Sequence, residues 1–401
     1  EVPAKSTLPP ARAAPGDPHK SLSLDAKTES SKIIKALIKT MILGLKTVVW
    51  CVSNYKVRET NSTITRDQRV QKQGVAVPLT EHEITLISNF FQLALACFDV
   101  YRDEKSDNRD EEKDVLENFG NVFTVLNHAN FRDIFHRSTE TGVARSALEL
   151  LYENMLTDRT LLVIPQLFLT NARMSKIFAD ILLDFLLEPK RVFYLSGHAS
   201  SGCSKWDRVD RAEKKLIGVS TDVNGEGIYN DSERANADER AAILLRLFKM
   251  VFQSVKLYKD NERVLLPKLR KIIILNLRCV TEVKDPKNHL ELLRHLFRSI
   301  GGGKFELLYK ELLQLLPGLL KGLVAMQKKT DDPDAKRLLI ELCLTVPARL
   351  PSLLKHLPLL MTPVILALKS VHSELITLAL RTLEFWIDNL NTEFLYPIMS
   401  R

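Results

Sequence analysis

The chain has 401 residues, of which 45% are apolar and 26% charged. It is too long for one small core and too apolar for a disordered polyampholyte, and only 15 glycines among so much leucine argue for helix over sheet. A net charge of +8 and a pI of about 9.1 are modest over this length. They permit contact with acidic partners, nucleic acid or an anionic membrane and require none of them.

Residues 1–30 are rich in Pro, Ala, Ser and Lys without periodicity and are expected to form a disordered arm or linker. A helix is predicted from Ser30-Ser31, burying Ile34, Leu37, Ile38, Met41, Leu45, Val48 and Val52. The run Ile33–Val52 has the length of a membrane span, but Lys35, Lys39 and Lys46 interrupt it, and a bilayer centre accepts three ammonium groups only at high cost. The three lysines share one side of that helix, which reads as a solvated face more readily than as a membrane or nucleic-acid stripe. Residues 57–79 read as a loop. Thr80 and Glu83 then have capping-box spacing and start a helix to about Tyr101.

Further helices are predicted at Val115–Leu126, around Phe131-Ile134-Phe135, and at Val143–Met155, Thr160–Leu169 and Ala172–Leu187. Residues 188–238 break the rhythm with Gly, Ser and charge, and are expected to be an insertion loop. Helical order resumes at Leu244, Leu247, Phe248, Val251, Val255 and Tyr258, followed by a helix at Pro267–Val280.

The densest pattern is Leu290–Leu390. Leu290, Leu293, Leu296, Phe297 and Ile300 form one stripe. Phe305, Leu308, Tyr309, Leu312, Leu316 and Leu319 form the next, and Ala335, Leu338, Leu339, Leu342, Cys343 and Val346 a third. Thr362-Pro363 has the form of a helix start, and Ser373 that of a cap for Leu375, Leu378, Ala379, Leu383, Trp386 and Leu390. Short helices with wide stripes must stack on neighbours, and the pairs recur at about 40 residues, in the range of HEAT repeats. The fold class is therefore all-α, an α-solenoid of HEAT-like pairs. Its expected divisions are an arm at 1–30, repeats at 31–187, the insertion at 188–238 and repeats at 239–401. The last apolar segment, Phe394–Ile398, looks like a repeat lacking its partner helix.

Signatures of chemistry are weak. Gly301-Gly302-Gly303-Lys304 lacks the preceding strand and the Ser or Thr of a phosphate loop, since Phe305 follows; glycines in positive φ at a helix C-cap explain it better. Ser220–Asp231 places Asp222, Asn224 and Gly225 as a calcium loop would, but starts on Ser and ends on Asp where a bidentate Glu is needed. His198 and Cys203 have no second pair to complete a zinc site. Cys51, Cys97, Cys203, Cys279 and Cys343 are scattered and odd in number, as reduced buried thiols are. Asn61-Ser62-Thr63 matters only in a secreted chain. No catalytic, cofactor or metal residues are assigned.

Longer stretches carry a resemblance. Arg298–Glu311 (R-S-I-G-G-G-K-F-E-L-L-Y-K-E) and Glu341–Leu350 (E-L-C-L-T-V-P-A-R-L) resemble the transformation/transcription domain-associated protein (TRRAP) family. Arg381-Thr382-Leu383-Glu384, Asp388-Asn389-Leu390 and Phe394-Leu395 continue the likeness, and Glu111–Phe119 carries a weaker form. The likeness is strong over Ala242–Met399 and looser over Ser31–Leu187. The segment near Arg191–Asn236 is longer than the family pattern, and the Pro-rich start has no counterpart.

The resemblance implies part of the HEAT region of a giant nuclear scaffold related to phosphatidylinositol-3-kinase-like kinases, whose kinase domain has lost catalysis. It implies protein subunits of a histone acetyltransferase complex of the SAGA type, and transcriptional activators, as partners. No small molecule, nucleic acid, membrane or cofactor is required. Two other readings remain open on the residues alone. One is a transport or membrane-trafficking solenoid. The other is a cryptic enzyme or calcium-responsive module at 188–238.

Overall fold

The computed structural model describes residues 29–50, 79–98, 109–136, 146–196, 231–283, 285–301 and 304–399. Helix α1 spans 29–50. It is followed by α2 (Glu81–Cys97), α3 (Arg109–Phe123), α4 (His128–His136), α5 (Ala147–Met155), α6 (Val163–Thr170), α7 (Ser175–Leu186) and α8 (Pro189–Tyr194). Then come α9 (Asp231–Leu257), α10 (Asn261–Glu282), α11 (Lys287–Ile300), α12 (Glu306–Lys329), α13 (Pro333–Thr345), α14 (Leu350–Leu353), α15 (Leu357–Leu368), α16 (Ser373–Asn389) and α17 (Thr392–Met399). There is no strand among the described residues.

The helices stack in two rows. One row runs α3, α6, α9, α11, α13, α16, each packed on the next, and the other runs α4, α7, α10, α12, α15. The rows pack on each other through α6 and α7, α10 and α11, α12 and α13, and α15 and α16. This is an all-α HEAT-like solenoid. Helices α6 and α7 pack directly on α9 and α10, so the array is continuous across residues 188–238.

Between the rows lies a single apolar core, which holds the Leu290–Ile300, Phe305–Leu319 and Ala335–Val346 stripes apart from the half-buried Tyr309. Upstream the core is aromatic. Phe91, Phe119, Phe123, Phe131, Phe135, Phe168 and Phe178 are each fully buried, and they join α2, α3, α4, α6 and α7. Gly120 permits the close approach of α3 and α6, because a Cβ there would lie 3.2 Å from Leu167 Cδ2. The α4–α7–α10 row is also tied by charge. Asp180 receives Arg132 at 2.5 Å and Lys268 at 2.8 Å, and Lys268 reaches Asp184 at 2.5 Å. Burial pushes the Asp180 carboxyl up, but hydrogen bonds from Lys268 and Arg132 hold it below its ordinary value.

Helix starts follow local chemistry. The Thr80–Glu83 capping box forms as the spacing predicts, with Thr80 N donating to Glu83 Oε2 at 2.7 Å and Glu83 N to Thr80 Oγ1 at 3.3 Å. Ser146 and Glu149 form a second box, and Asp332 caps α13 through Ala335 N at 3.1 Å. Helix α12 begins on Phe305, which gives no side-chain cap. Glu262 of α10 supplies the acceptor instead, taking Leu307 N at 2.9 Å and Leu308 N at 3.3 Å while only 4% exposed. Glu262→Ala leaves those amides without that acceptor and is expected to lower stability by about 2 kcal/mol. Glu262→Gln, which keeps the acceptor oxygen, should cost less than half as much in urea unfolding; equal losses would refute the cap.

Several expected boundaries differ. Helix α10 starts at Asn261, with Pro267 inside it. Burial of Val264 and Leu265 before the proline outweighs its helix cost of about 3 kcal/mol. Thr362 and Pro363 likewise lie within α15, whose early proline is Pro358. The α16 N-cap is His372, not Ser373, and its side chain makes no cap bond. Gly301 closes α11 at φ −63°, ψ 166°, an extended conformation and not a positive φ. The buried face of α1 is Ile38, Ile42, Leu45 and Val49, whereas Ile34, Leu37 and Val48 are exposed. That helix is apolar on more than one side, and its packed side is rotated from the expected one. Within 188–238, helix α8 occupies the start and α9 begins at Asp231. Helical backbone thus enters both ends of the expected insertion, and 197–230 lies outside the described residues.

Candidate protein-docking groove

Helical register places a column of cations along the α9–α11–α13–α16 row. Arg294 and Arg298 are one turn apart on α11, Arg337 lies on α13 and Arg381 on α16. They line one open groove of about 960 Å³. Its floor carries Glu341, 6% exposed, which receives Arg298 Nη2 at 2.5 Å and lies 3.0 Å from Arg294 Nε. The latter contact is an ion pair without hydrogen-bond alignment, since Arg294 Nε has no hydrogen-bond partner. Glu341 thereby fixes Arg298 at the groove wall, and Arg294 is held between Glu341 and Glu291, to whose Oε1 its Nη1 donates at 2.7 Å. Arg337 and Arg381 have no ion pair among the described residues. Positive potential extends toward α9: burial lowers the His295 pKa, and Lys249, Arg294 and Arg298 lower it further against the opposing pull of Glu291.

Arg381 also borders a second cavity of about 250 Å³ between α13, α15 and α16, lined by Leu353, Leu360, Phe385 and Trp386. Trp386 is buried at its base, and Phe385 stands 51% exposed at its edge. Residues 374, 377, 378, 381, 382 and 385 recur at helical spacing, so one face of α16 serves both cavities. On the far side of α13, a third cavity of about 380 Å³ lies between Phe305, Tyr309 and the Val346–Arg349 turn. There Arg349 stacks 4.5 Å over the Tyr309 ring and pairs with Glu306.

One arrangement that sequence spacing does not reveal is a buried Ser–His–Asn line. Ser196 Oγ lies 3.0 Å from His289 Nε2, and His289 Nδ1 lies 2.8 Å from Asn276 Oδ1. Asn276 Nδ2 donates to Ile272 O, so its Oδ1 accepts, His289 carries its proton on Nδ1, and Ser196 donates to Nε2. The order is that of a nucleophile, base and orienting group. However, Ser196 is 3% and His289 0% exposed, and burial lowers the histidine pKa to about 4. This is a weak base sealed from solvent, and the line joins the α8 end to α10 and α11.

The other sequence candidates separate. Lys304 is exposed beside Gly301, and Gly302 and Gly303 lie outside the described residues, as do Asn61, His198, Cys203, Cys51 and the calcium-like segment 220–230. Among the described residues no group of His, Cys, Asp and Glu is placed to hold a metal. Cys279 and Cys343 are buried and Cys97 is half-buried, none of them in a disulfide; burial pushes Cys343 up to about 12. The lysine stripe of α1 meets a neighbour through Lys39, whose Nζ is 2.5 Å from Glu111 Oε1. Among the described residues only Leu350–Leu368 is long and apolar enough to cross a membrane. It contains Lys355, three prolines and a break between α14 and α15, and it buries Leu357, Leu360 and Val364 in the core.

Comparison with known proteins agrees with the fold. Residues 5–401 match the model of the Tra1 HEAT repeat central region, which therefore reaches into the Pro-rich start. The chain is 33% identical over 387 residues to the transformation/transcription domain-associated protein of Danio rerio, covering 93% of this chain and 8% of that protein. The Homo sapiens protein of that name is 32% identical over 387 residues, with the same coverage. The "SAGA complex/NuA4 acetyltransferase complex subunit TRA1" of Saccharomyces cerevisiae is 34% identical over 291 residues, 72% of this chain and 6% of that protein. The chain thus spans less than a tenth of the length of these relatives. By its sequence and by its two-row helical stack, it belongs to the Tra1 family, in the central HEAT-repeat region.

Proposed function

We propose that this chain is a non-catalytic scaffold segment of a nuclear transcription coactivator. It helps to organise a histone acetyltransferase complex and to recruit that complex through activators. The observation that carries this reading is the continuous two-row helical surface in a chain whose relatives are named as SAGA and NuA4 subunits. A stack of this kind offers long faces and few enclosed sites, which suits protein partners better than a small substrate. The blocks at 31–187 and 239–401 act as one support, joined where α6 and α7 pack on α9 and α10.

The test is to tag the endogenous protein in place, purify it from nuclear extract and assay histone acetylation. Co-purifying acetyltransferase subunits and activity are the expected result. Coat or transport-receptor components without acetyltransferase would overturn the reading and favour the trafficking alternative.

A further inference from the structure

We propose that the groove between α11, α13 and α16 binds an acidic, unfolded segment of a partner protein through Arg298, Arg337 and Arg381, and that one aromatic or aliphatic side chain of the segment enters the cavity beside Trp386. The proposal rests on the scaffold reading and assigns it a docking site.

The charge arrangement selects the partner. Glu341 holds Arg294 and Arg298 from below, so it orients them without occupying every donor of either group. Arg298 remains 51% exposed. Arg337 and Arg381 have no ion pair among the described residues, and both face the groove. Planar guanidinium groups fixed at a wall match carboxylates, which take two N–H donors at once.

The groove is not a uniform cationic trough. Glu341 and Glu374 lie in its lining, and Arg381, which lines it, also lines a neighbouring apolar cavity. A phosphate backbone carries a charge at every step and cannot avoid those carboxylates, whereas a peptide can set its acidic residues against the arginines alone and an apolar one against the cavity. An acidic peptide with an apolar residue satisfies both parts. Two helix-to-helix steps of about 10 Å separate α11 from α16. An extended segment of about six residues covers that span.

The experiment uses the full 401-residue chain and a fluorescein-labelled synthetic peptide of about 15 residues, half Asp or Glu, with two Phe. Binding is read by fluorescence anisotropy. Arg337→Glu combined with Arg381→Glu should weaken binding at least about tenfold and flatten its dependence on salt. Phe385→Ala, at the edge of the apolar cavity, should weaken it several-fold while leaving the salt dependence in place. The same peptide with Ser in place of Phe should bind the native chain as weakly as the original binds the Phe385 variant.

Unchanged affinity in the double variant, with a native helical spectrum, overturns the proposal. So does a single-stranded oligonucleotide of equal charge that binds as tightly as the peptide and is lost with the same substitutions. If charge reversal disturbs folding, Arg337→Gln with Arg381→Gln should give a smaller loss of the same sign, and no loss again overturns it. If the groove fails while acetyltransferase subunits still co-purify with the endogenous protein, the docking site alone is rejected. If those subunits are absent from the unsubstituted protein, the scaffold reading is rejected.

Discussion

Phe135→Ala is expected to destabilise the helices α2 to α7 by about 4 kcal/mol, from lost burial plus the cavity left behind. The side chain is fully buried. Its ring lies 4.5 Å from Phe131, 5.4 Å from Phe168, 5.6 Å from Phe123, 5.7 Å from Phe91 and 6.2 Å from Phe178. Four of these five contacts are edge-on, the geometry in which ring quadrupoles attract, so the loss exceeds the area term. Neighbours come from α2, α3, α4, α6 and α7, so no single helix can move in to fill the space. Because repeats support only adjacent repeats, the effect should be local. Hydrogen exchange should quicken in α2–α7 and stay slow in α11–α13. Phe135→Leu keeps most of the volume and should cost about 1–2 kcal/mol. A loss below about 1 kcal/mol in urea unfolding of the Ala variant would show that the aromatic cluster is not the centre of this half.

Much of the fold is legible in the sequence because burial follows a 3.6-residue period. The stripes at Leu290–Ile300, Phe305–Leu319 and Ala335–Val346 reappear in the core, with only Tyr309 half-buried. Errors arise where periodicity is silent. Helix α1 is apolar on several sides, so pattern alone cannot say which side meets α2 and α3. Prolines 267 and 363 read as starts, yet packing on both sides carries the helix through them. The missed caps differ in kind. Ser146 and Glu149 have a spacing that could have been read. Glu262 caps a helix 45 residues away, and only the stack brings the two together.

The groove shows the same divide. Arg298 and Arg381 fall inside stretches that suggest the family, but nothing in their spacing says that they share a wall with Arg337. That follows from α11, α13 and α16 being successive members of one row. The Ser196–His289–Asn276 line is equally hidden, since Ser196 and His289 are 93 positions apart.

That line gives the second large effect, a pH dependence of stability. His289 has a folded pKa of about 4 against an ordinary value of 6.5, and burial alone is the cause. The folded state therefore disfavours the protonated ring. At about pH 7 both states hold a neutral imidazole and there is no penalty. As pH falls below about 6.5, the unfolded chain takes up a proton that the folded chain refuses, and stability declines. The decline continues until the folded ring also protonates near pH 4. Across that window the group accounts for a loss of about 3 kcal/mol. Ser196 can rotate to accept from a protonated Nε2, so the cost arises from charge in an apolar site and not from a broken hydrogen bond. His289→Gln keeps polar atoms near Asn276 and Ser196 but has nothing to titrate. It should be less stable than the native chain near pH 7 and lose less as pH falls, so that the two stability curves converge toward about pH 4.5. Parallel curves for the two chains would mean that His289 is not the group whose protonation loosens the α8–α11 junction.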